Sequence, residues 1–340
     1  FVLEETLERL VKKWQPESGL AIVIEPSTGK ILAMASRPTF NPNEYSKEKD
    51  YSVFRMPVVD SQFELGSVFK PITMAAALNE GLVRPETTYK DAGIVTFGGG
   101  TIKNFDGKAH VIQTMTQVLE KSLNTGIVWV EEKLGHFRFR DYIELFGFGA
   151  KSGIDFPNEI AGNISNLQTG REIEFATAAF GQGIAVTPLQ MAMAMGAIAN
   201  DGVLMKPYIV EKIIDDSGNE TIFSPKARGE VIRRETSETL TKMLVSTVRS
   251  GFENKAGVKG YFVAGKTGTA QIPLKDRRGY SDEVIHTFAG YAPAFRPKFL
   301  VLLQLVKPGG NRFAANTLTP AFHDLAEFIL NYYEIPPDEK

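Results

Sequence analysis

Hydrophobic and polar positions follow two different periods at the start of the chain. Apolar residues recur at helical spacing over residues 1–14 and predict an amphipathic helix. Two apolar runs, residues 19–24 and residues 30–36, flank the turn sequence of residues 25–29, and this arrangement predicts a β-hairpin. The first run is apolar at nearly every position, as in a strand that is covered on both faces.

Strand-like patterns return in the last third of the chain. Three runs predict antiparallel strands at residues 261–271, 286–292 and 299–306, and a helix is predicted over residues 319–332. Helical patterns dominate the middle, at residues 72–78, 112–119, 127–134, 141–146, 189–200 and 234–249. We therefore expect an α/β (α+β) fold, in which a five-stranded antiparallel sheet is covered by helices and a large helical insert forms the other wall of a cleft.

The segments between these elements are polar or rich in turn residues. Residues 37–64 read as a long connection, residues 81–111 as a turn-rich segment and residues 275–283 as a polar loop. The triplet Gly98–Gly100 could cradle a phosphate, but no Gly-Lys-Ser/Thr sequence and no strong helix follows it, so a loop is favoured. Thr187-Pro188 is a good N-cap and first-turn pair for the helix that follows it.

The composition is that of a globular chain long enough to bury a large core: 340 residues, 43% hydrophobic and 23% charged. The net charge of -2 and the scattered basic residues give no reason to expect nucleic acid as a partner. The absence of cysteine excludes disulfides, thiol catalysis and cysteine metal sites. We expect a single domain over residues 1–340, with a sheet subdomain at about 1–65 and 225–340 and a helical subdomain at about 66–224.

The sequence shows neither a membrane span nor a signal peptide. Its apolar runs are far shorter than the roughly 20 residues that cross a bilayer. The chain starts at Phe1 without methionine, so we expect a fragment from which an anchor has been left out.

Candidate chemistry centres on Gly66-Ser67-Val68-Phe69-Lys70-Pro71, which opens an apolar helical run. If Ser67 lies in the first turn of a helix, Lys70 shares its face, so its amine can reach the hydroxyl. The unpaired amides of that turn then lie beside any oxyanion that forms. A serine with a lysine as its base is a known form of nucleophilic catalysis.

The four-residue Ser-x-x-Lys pattern is weak alone, because it also occurs at residues 27–30 and 46–49, which read as a hairpin turn and a polar loop. Two further pieces follow in order: Ser122-Leu123-Asn124 after a helix end, and Lys266-Thr267-Gly268 on a strand. Ser217-Gly218-Asn219 and Lys151-Ser152-Gly153 are poorer matches, because the former lies in a polar turn and the latter lacks a preceding strand.

This ordered set resembles the class B penicillin-binding proteins, and in particular the D,D-transpeptidase domain of their division-type branch, which is similar to penicillin-binding protein 3. The resemblance covers essentially the whole chain. Other stretches that carry it are residues 146–149, 153–157, 181–190 and 286–293. It implies a serine β-lactamase/transpeptidase-like fold.

The resemblance also implies roles in catalysis. Ser67 is the expected nucleophile, which attacks the carbonyl of a D-Ala-D-Ala bond and becomes an acyl-ester. Lys70 is the expected base, with a pKa lowered by Lys266 and by an enclosed cleft. Ser122 and Asn124 are expected to complete the proton relay and to hold the peptide.

Substrate recognition is expected along the third motif. Lys266, Thr267 and Thr269 are expected to bind the terminal carboxylate. The backbone amides of Ser67 and Thr269 form the family's oxyanion hole. Gly268 is expected to let the substrate run along the strand edge as an added strand, because it has no side chain.

The expected partners are peptidoglycan stem peptides that end in D-Ala-D-Ala, β-lactam antibiotics and, by analogy, a glycosyltransferase of the division or elongation machinery. The expected location is the outer face of the bacterial cytoplasmic membrane, with an N-terminal anchor and a pedestal domain absent from this chain. No cofactor or metal is expected, since the histidines, His110, His136, His286 and His323, show no ligand spacing. His286, which opens a predicted strand, is expected to be structural or to flank the substrate.

Two alternatives remain open. A β-lactamase needs a group that activates water on the acyl-enzyme, and the sequence identifies no such glutamate: Glu159 lies in a plausible loop, but its context resembles the transpeptidases. The triplet Ser122-Leu123-Asn124 also departs from the Ser-Asp-Asn that is usual in class A β-lactamases. A β-lactam sensor domain would acylate and only signal, but Asn124 argues against it, because such sensors usually have another residue at that position.

Overall fold

The structure is a computed structural model and describes residues 1–97, 99–251, 253–274, 276–277 and 279–339. Its α-helices in that part of the chain are α1 (Val2–Trp14), α2 (Pro57–Asp60), α3 (Lys70–Asn79), α4 (Met115–Glu120), α5 (Asn124–Leu134), α6 (His136–Leu145), α7 (Glu172–Ala178), α8 (Pro188–Ala199), α9 (Arg234–Ser246), α10 (Ala314–Thr317) and α11 (Thr319–Tyr332). Its β-strands are β1 (Ser18–Glu25), β2 (Lys30–Arg37), β3 (Thr88–Asp91), β4 (Ile94–Phe97), β5 (Gly100–Lys103), β6 (Val111–Thr114), β7 (Val203–Met205), β8 (Lys212–Ile214), β9 (Glu220–Ile222), β10 (Ala227–Glu230), β11 (Ala264–Pro273), β12 (Tyr280–Ala292) and β13 (Phe299–Val306). Short 3-10 helices cover Pro42–Lys47, Tyr51–Phe54, Gly66–Phe69 and Ser165–Gln168, and a π-helical turn covers Thr247–Gly251.

Five strands from the two ends of the chain form one antiparallel sheet, in the order β11-β12-β13-β1-β2. The sheet confirms the prediction from the apolar runs. All of residues 19–24 in β1 are buried, as the continuous apolar pattern predicts. Strand β11 lies at an edge of the sheet, so one side of its backbone is free of strand partners.

The sheet separates two apolar cores, because successive side chains of a strand point to opposite faces. Ile22 and Leu302 belong to the larger core, which also contains the buried residues of α3, α8 and α9. Val23 and Leu303 belong to the other core, with the apolar faces of α1 and α11. The catalytic candidates lie at the boundary of the larger core, where β11 meets the 3-10 helix before α3.

Helix α8 begins where the sequence predicts. The Thr187 side chain accepts a hydrogen bond of 3.1 Å from the Gln190 amide, and the Gln190 side chain accepts one of 2.9 Å from the Thr187 amide. This reciprocal cap satisfies two amides that a helix start leaves unpaired. Every residue of α8 is buried, so its methionines pack in the core.

The turn-rich segment of residues 81–111 contains more structure than predicted. It contributes β3, which pairs with β6, and the β4–β5 hairpin. Each strand has four residues, too few for a clear period of two. A loop is predicted at Gly98–Gly100; Gly98 lies outside the described residues, and Gly100 begins β5.

Several element boundaries also differ from the predictions. Ile112 lies in β6 rather than in a helix, because Thr114 caps α4. Helix α5 begins at Asn124, three residues before the predicted start at residue 127. Strand β12 begins at Tyr280, within the segment predicted as a polar loop; two residues of that segment, Lys275 and Arg278, lie outside the described residues.

Helix α6 is also longer than the predicted helix over residues 141–146. Across the described ranges, no helix combines the length and the apolar character needed to cross a membrane.

Candidate active site

The predicted nucleophile lies in a tight turn. Ser67 belongs to the 3-10 helix Gly66–Phe69, which continues directly into α3. Gly66 has a φ of 62° and donates a hydrogen bond of 3.1 Å from its amide to the Gly181 carbonyl. A Cβ at Gly181 would lie 2.4 Å from the Gly66 carbonyl oxygen, so glycine is needed there. Ser67 stays partly exposed, whereas Phe69 of the same turn is buried.

Strand β11 lies directly against this turn. A Cβ at Gly268 would be 2.3 Å from the Leu65 carbonyl oxygen and 3.1 Å from the Val68 nitrogen. The space that a side chain would need is therefore filled by the serine turn. This corrects the expected reason for Gly268: the glycine lets the nucleophile approach the strand, rather than clearing room for substrate.

The Lys70 amine is held by the second motif. Lys70 is fully buried, and its Nζ donates to the Ser122 carbonyl at 2.6 Å and to Asn124 Oδ1 at 2.8 Å, and lies 3.3 Å from Ser122 Oγ. The Lys70 amide donates to the Ser67 carbonyl, but among the described residues no hydrogen bond joins the Lys70 amine to the Ser67 hydroxyl. The first two motifs are thus joined through Lys70, although the predicted contact between its amine and the Ser67 hydroxyl is not made directly.

Lys266 approaches the same serine from β11. Its Nζ donates to Ser122 Oγ at 3.0 Å and to the Thr267 carbonyl at 3.3 Å, and Lys266 is fully buried. Ser122 has a φ of 54°, a left-handed conformation that ends α4 and directs the chain into α5. The three motifs therefore meet at the Ser122 hydroxyl.

Burial lowers the pKa of both lysines. The pKa of Lys70 lies well below its usual value, first because burial disfavours the ammonium and second because the positive charge of Lys266 is nearby. Burial lowers the pKa of Lys266 to about 7. A neutral Lys70 beside a partly charged Lys266 is the arrangement that a lysine base requires near neutral pH.

The two threonines of the third motif face a different environment from Lys266. Thr267 and Thr269 are partly exposed, whereas Lys266 and Gly268 between them are buried. Thr269 Oγ1 accepts a hydrogen bond of 3.1 Å from the Ala314 amide at the start of α10, and its own O–H remains to donate. Both hydroxyls can therefore serve an anion at the edge of β11.

The two amides predicted for the oxyanion hole lie on adjoining segments. A Cβ at Gly66 would be 3.2 Å from the Thr269 carbonyl oxygen, so the Ser67 turn touches β11 at this point. Within the described part of the chain, no backbone carbonyl accepts a hydrogen bond from the Ser67 amide. Such a free amide at a helix start is a suitable donor to an oxyanion.

The competing motif matches lie elsewhere. Ser217-Gly218-Asn219 forms the turn between β8 and β9, and Lys151-Ser152-Gly153 is not preceded by a strand. His286 lies inside β12 opposite Thr269 and is buried, with Nδ1 2.9 Å from Thr317 Oγ1. Burial lowers its pKa to about 4, so it is neutral and structural. The described residues contain no cluster of three potential metal ligands.

One contact at the site has no sequence signal. Asn124 Nδ2 donates a hydrogen bond of 2.9 Å to the carbonyl of Lys103, at the end of the β4–β5 hairpin. A second such contact is the hydrogen bond from the backbone amide of Ala314 to Thr269 Oγ1. Backbone groups bring no particular residue type with them, so only the fold reveals such contacts.

Comparison with known proteins identifies this arrangement. Residues 19–327 match the family described as penicillin binding protein transpeptidase domain. The chain belongs to this family. It is a transpeptidase domain of the class B penicillin-binding proteins, as the motifs predict.

Several relatives of this transpeptidase domain are similar along nearly all of it. Stage V sporulation protein D of Bacillus subtilis is 38% identical over 94% of this chain and 50% of its own length. PbpB of Mycobacterium tuberculosis is 32% identical over 93% of this chain and 48% of its own length. FtsI of Escherichia coli, named a peptidoglycan D,D-transpeptidase, is 31% identical over 95% of this chain and 53% of its own length. The chain thus spans about half the length of these relatives.

Solved structures confirm the fold of the transpeptidase domain. Penicillin binding protein 3 of M. tuberculosis, in a complex with aztreonam, superposes with a TM-score of 0.92 at 31% identity over 98% of this chain and 77% of that one. The transpeptidase domain of penicillin-binding protein 3 from Burkholderia pseudomallei gives a TM-score of 0.85 at 27% identity, over 100% of this chain and 95% of that one.

Proposed function

We propose that this chain is the catalytic domain of a peptidoglycan D,D-transpeptidase that works through a Ser67 acyl-enzyme and is acylated by β-lactams. The observation that carries the proposal is the buried Lys70 amine, held by Ser122 and Asn124 and facing Lys266. It is supported by relatives named peptidoglycan D,D-transpeptidase and by similar structures in complexes with aztreonam and ampicillin.

Acylation begins when Ser67 Oγ attacks the carbonyl carbon of the D-Ala-D-Ala bond and the neutral Lys70 amine takes the hydroxyl proton. The amides of Ser67 and Thr269 stabilise the oxyanion, and in comparable sites each such donor contributes about 3 kcal/mol. The C–N bond then breaks as a proton passes from Lys70 through the Ser122 hydroxyl to the leaving amine. The products are the Ser67 ester and free D-Ala.

Transfer runs through the same groups in reverse. The acceptor amine attacks the ester carbonyl, and its proton passes through Ser122 to Lys70. The ester C–O bond breaks and Ser67 Oγ regains a proton from Lys70. A new peptide bond cross-links the two stem peptides, and the enzyme returns to its starting protonation state.

Recognition of the donor relies on the edge of β11. Thr267 and Thr269 donate from their hydroxyls to the terminal carboxylate, and the Lys266 ammonium supplies the positive charge. Asn124 holds the amide of the stem peptide. The backbone of that peptide pairs with the free edge of β11 as an added strand. Gly268 contributes by admitting the serine turn.

The β-lactamase alternative has no support from Glu159. Its carboxylate accepts hydrogen bonds from the Ser152 hydroxyl, from the Ser152 amide at 2.6 Å and from the Gly153 amide at 2.9 Å. The side chain is therefore used to hold its own loop. A sensor domain is disfavoured by Asn124, which binds Lys70 directly.

A transpeptidation assay tests the proposal. The domain is incubated with a stem peptide ending in D-Ala-D-Ala and a D-amino acid as acceptor, and the products are resolved by mass. We expect release of D-Ala and a peptide carrying the acceptor, with neither from Ser67→Ala nor from Lys70→Arg, because arginine cannot act as a base. Near-normal activity of Lys70→Arg would contradict the role of Lys70.

We extend the proposal to the setting of the domain. It consists of a sheet subdomain (about 1–65 and 225–340) and a helical subdomain (about 66–224), and acts on the outer face of the cytoplasmic membrane with an anchor and a pedestal supplied by chain outside this sequence. The resemblance to the division-type branch supports a role in septal wall synthesis beside a glycosyltransferase. Septal localisation of a fluorescent fusion of the full protein would support this role, and uniform localisation would contradict it.

A further inference from the structure

A buried carboxylate outside the three motifs lies close to the site. Asp91, at the end of β3, is 2% exposed. It accepts hydrogen bonds from the Gly93 amide at 2.9 Å, from Asn104 Nδ2 at 3.1 and 2.9 Å, from the His110 amide at 3.0 Å and from Thr125 Oγ1 at 2.7 Å. No cationic side chain of the described residues forms an ion pair with it, so neutral donors alone compensate for its burial.

These hydrogen bonds fix the protonation state of Asp91. Burial by itself would raise the pKa of its carboxyl, but the donors, led by Thr125 Oγ1 and the Gly93 amide, lower the pKa below its usual value. The carboxylate is therefore ionised at neutral pH and acts only as an acceptor. An amide in its place would point an NH₂ group at some of these donors.

Two of the residues that donate hydrogen bonds to Asp91 are next in sequence to Asn124 or to its hydrogen-bond partner. Thr125 follows Asn124 in α5, and Asn104 follows Lys103, whose carbonyl accepts the hydrogen bond from Asn124 Nδ2. Asn104 Oδ1 also accepts a hydrogen bond from the Thr125 amide at 3.2 Å. Asp91 thus joins the end of the β4–β5 hairpin to the start of α5.

The Lys103 carbonyl determines how the Asn124 amide is oriented. Nδ2 must face this acceptor, which leaves Oδ1 to accept from Lys70 Nζ at 2.8 Å. If the amide were turned over, its NH₂ group would face the amine donor, and the Lys103 carbonyl would face an oxygen. Correct placement of one backbone carbonyl is therefore a condition for holding Lys70.

We propose that Asp91 is a positioning residue for acylation, which fixes the Lys103 carbonyl and thereby the orientation of the Asn124 amide that holds Lys70. This inference rests on the proposed function of the site. Asp91 touches neither the reacting atoms nor the lysine, so its effect passes through Asn124.

Acylation by a fluorescent penicillin tests the proposal in a double-mutant cycle. We expect Asp91→Asn to slow acylation about 10- to 100-fold, the scale of a small misplacement of a catalytic group. In an Asn124→Ala background the same change should alter the rate by less than about twofold, because the group through which Asp91 acts is gone. Asp106→Asn is the matched control: this carboxylate lies in the connection between β5 and β6, accepts from the Lys108 amide and contacts the His110 ring.

The pH profile provides a readout that a purely structural role would not change. Asn124 Oδ1 favours the protonated form of Lys70, and Lys266 is the charged group that faces Lys70. Loss of the amide contact should lower the pKa of Lys70, so the rise of the acylation rate should move to lower pH in Asp91→Asn and stay in place in Asp106→Asn.

Further variants keep the test decisive if Asp91→Asn does not fold. Thr125→Val removes the shortest hydrogen bond to Asp91 and should slow acylation, whereas Thr125→Ser keeps the hydroxyl and should restore it. Equal slowing by Asp91→Asn with and without Asn124, or no slowing at all, would overturn the positioning role. Absence of acylation in the unmodified domain would instead overturn the proposed function.

Discussion

Lys70 and Lys266 reach the same oxygen: Ser122 Oγ lies 3.3 Å from the Nζ of Lys70 and 3.0 Å from the Nζ of Lys266. One lysine begins α3 and the other lies on β11, so the hydroxyl links the helical part of the site to the sheet. Two ammonium groups this close would repel each other in a buried site. The arrangement is favourable when Lys70 is neutral, because Ser122 then donates to Lys70 and accepts from Lys266.

The pH dependence of acylation should reveal the coupling between the two lysines. The positive charge of Lys266 lowers the pKa of Lys70, so Lys266→Met should raise that pKa. We expect the rise of the β-lactam acylation rate with pH to move to higher pH in this variant, at a lower overall rate. Lys259→Met, at an exposed position, is the control and should keep the original profile. A shift of the Lys266→Met profile to lower pH would contradict the electrostatic account.

The pH dependence of stability should show the cost of burying Lys266. Its pKa falls from 10.5 to about 7 in the folded protein, so between these values the unfolded chain binds more protons than the folded one. The free energy of unfolding should therefore rise with pH across this window, and the contribution of Lys266 to the slope should vanish below it. Urea denaturation at several pH values measures the slope, which should be smaller in Lys266→Met. An unchanged slope would show that Lys266 is not buried as a neutral amine.

Gly268→Ala should disturb the serine turn rather than the substrate. The new methyl group would lie 2.3 Å from the Leu65 carbonyl oxygen, so β11 and the turn must separate. We expect a lower melting temperature and slow acylation. Gly99→Ala, whose Cβ would have its nearest neighbour at 3.9 Å, is the control for the loss of a glycine. Normal acylation and stability of Gly268→Ala would contradict the tight contact.

Thr187→Ala should affect stability alone. It removes the side-chain cap of α8, which typically costs about 1 kcal/mol of unfolding free energy. Thr187→Ser keeps a capping hydroxyl, so its free energy of unfolding should fall much less. Denaturation curves measure both effects, and acylation of the folded Thr187→Ala protein should be unchanged. A stability equal to that of the unaltered chain would show that the cap contributes nothing.

The sheet and the three motifs could be predicted because their signals are local. The apolar runs at residues 19–24 and 299–306 are long enough to define strands, and a serine, a lysine or an asparagine can be recognised by its chemistry. The start of α8 was equally clear, since Thr187 and Pro188 both favour it.

The remaining features depend on contacts between distant segments. The strands β3 to β6 are too short for a pattern, and they become visible only when paired. Gly268 must be glycine because the Leu65 carbonyl lies close to it, and Asn124 Nδ2 donates to the Lys103 carbonyl. Both contacts are made by backbone groups, so the residue types at positions 65 and 103 give no sign of them. The lowered pKa of the Lys70 amine results mainly from burial. From the sequence, this burial could be expected only because Lys70 belongs to the Ser-x-x-Lys motif.

The most direct test of the central claim is the intact mass of the domain after incubation with a fluorescent penicillin, followed over hours and mapped by peptide. We predict a single adduct that persists and lies on the peptide containing Ser67, with none in Ser67→Ala. Rapid loss of the adduct with turnover of the drug would indicate a β-lactamase instead. An adduct on another residue, or none in the unaltered domain, would contradict the assignment of Ser67 as the nucleophile.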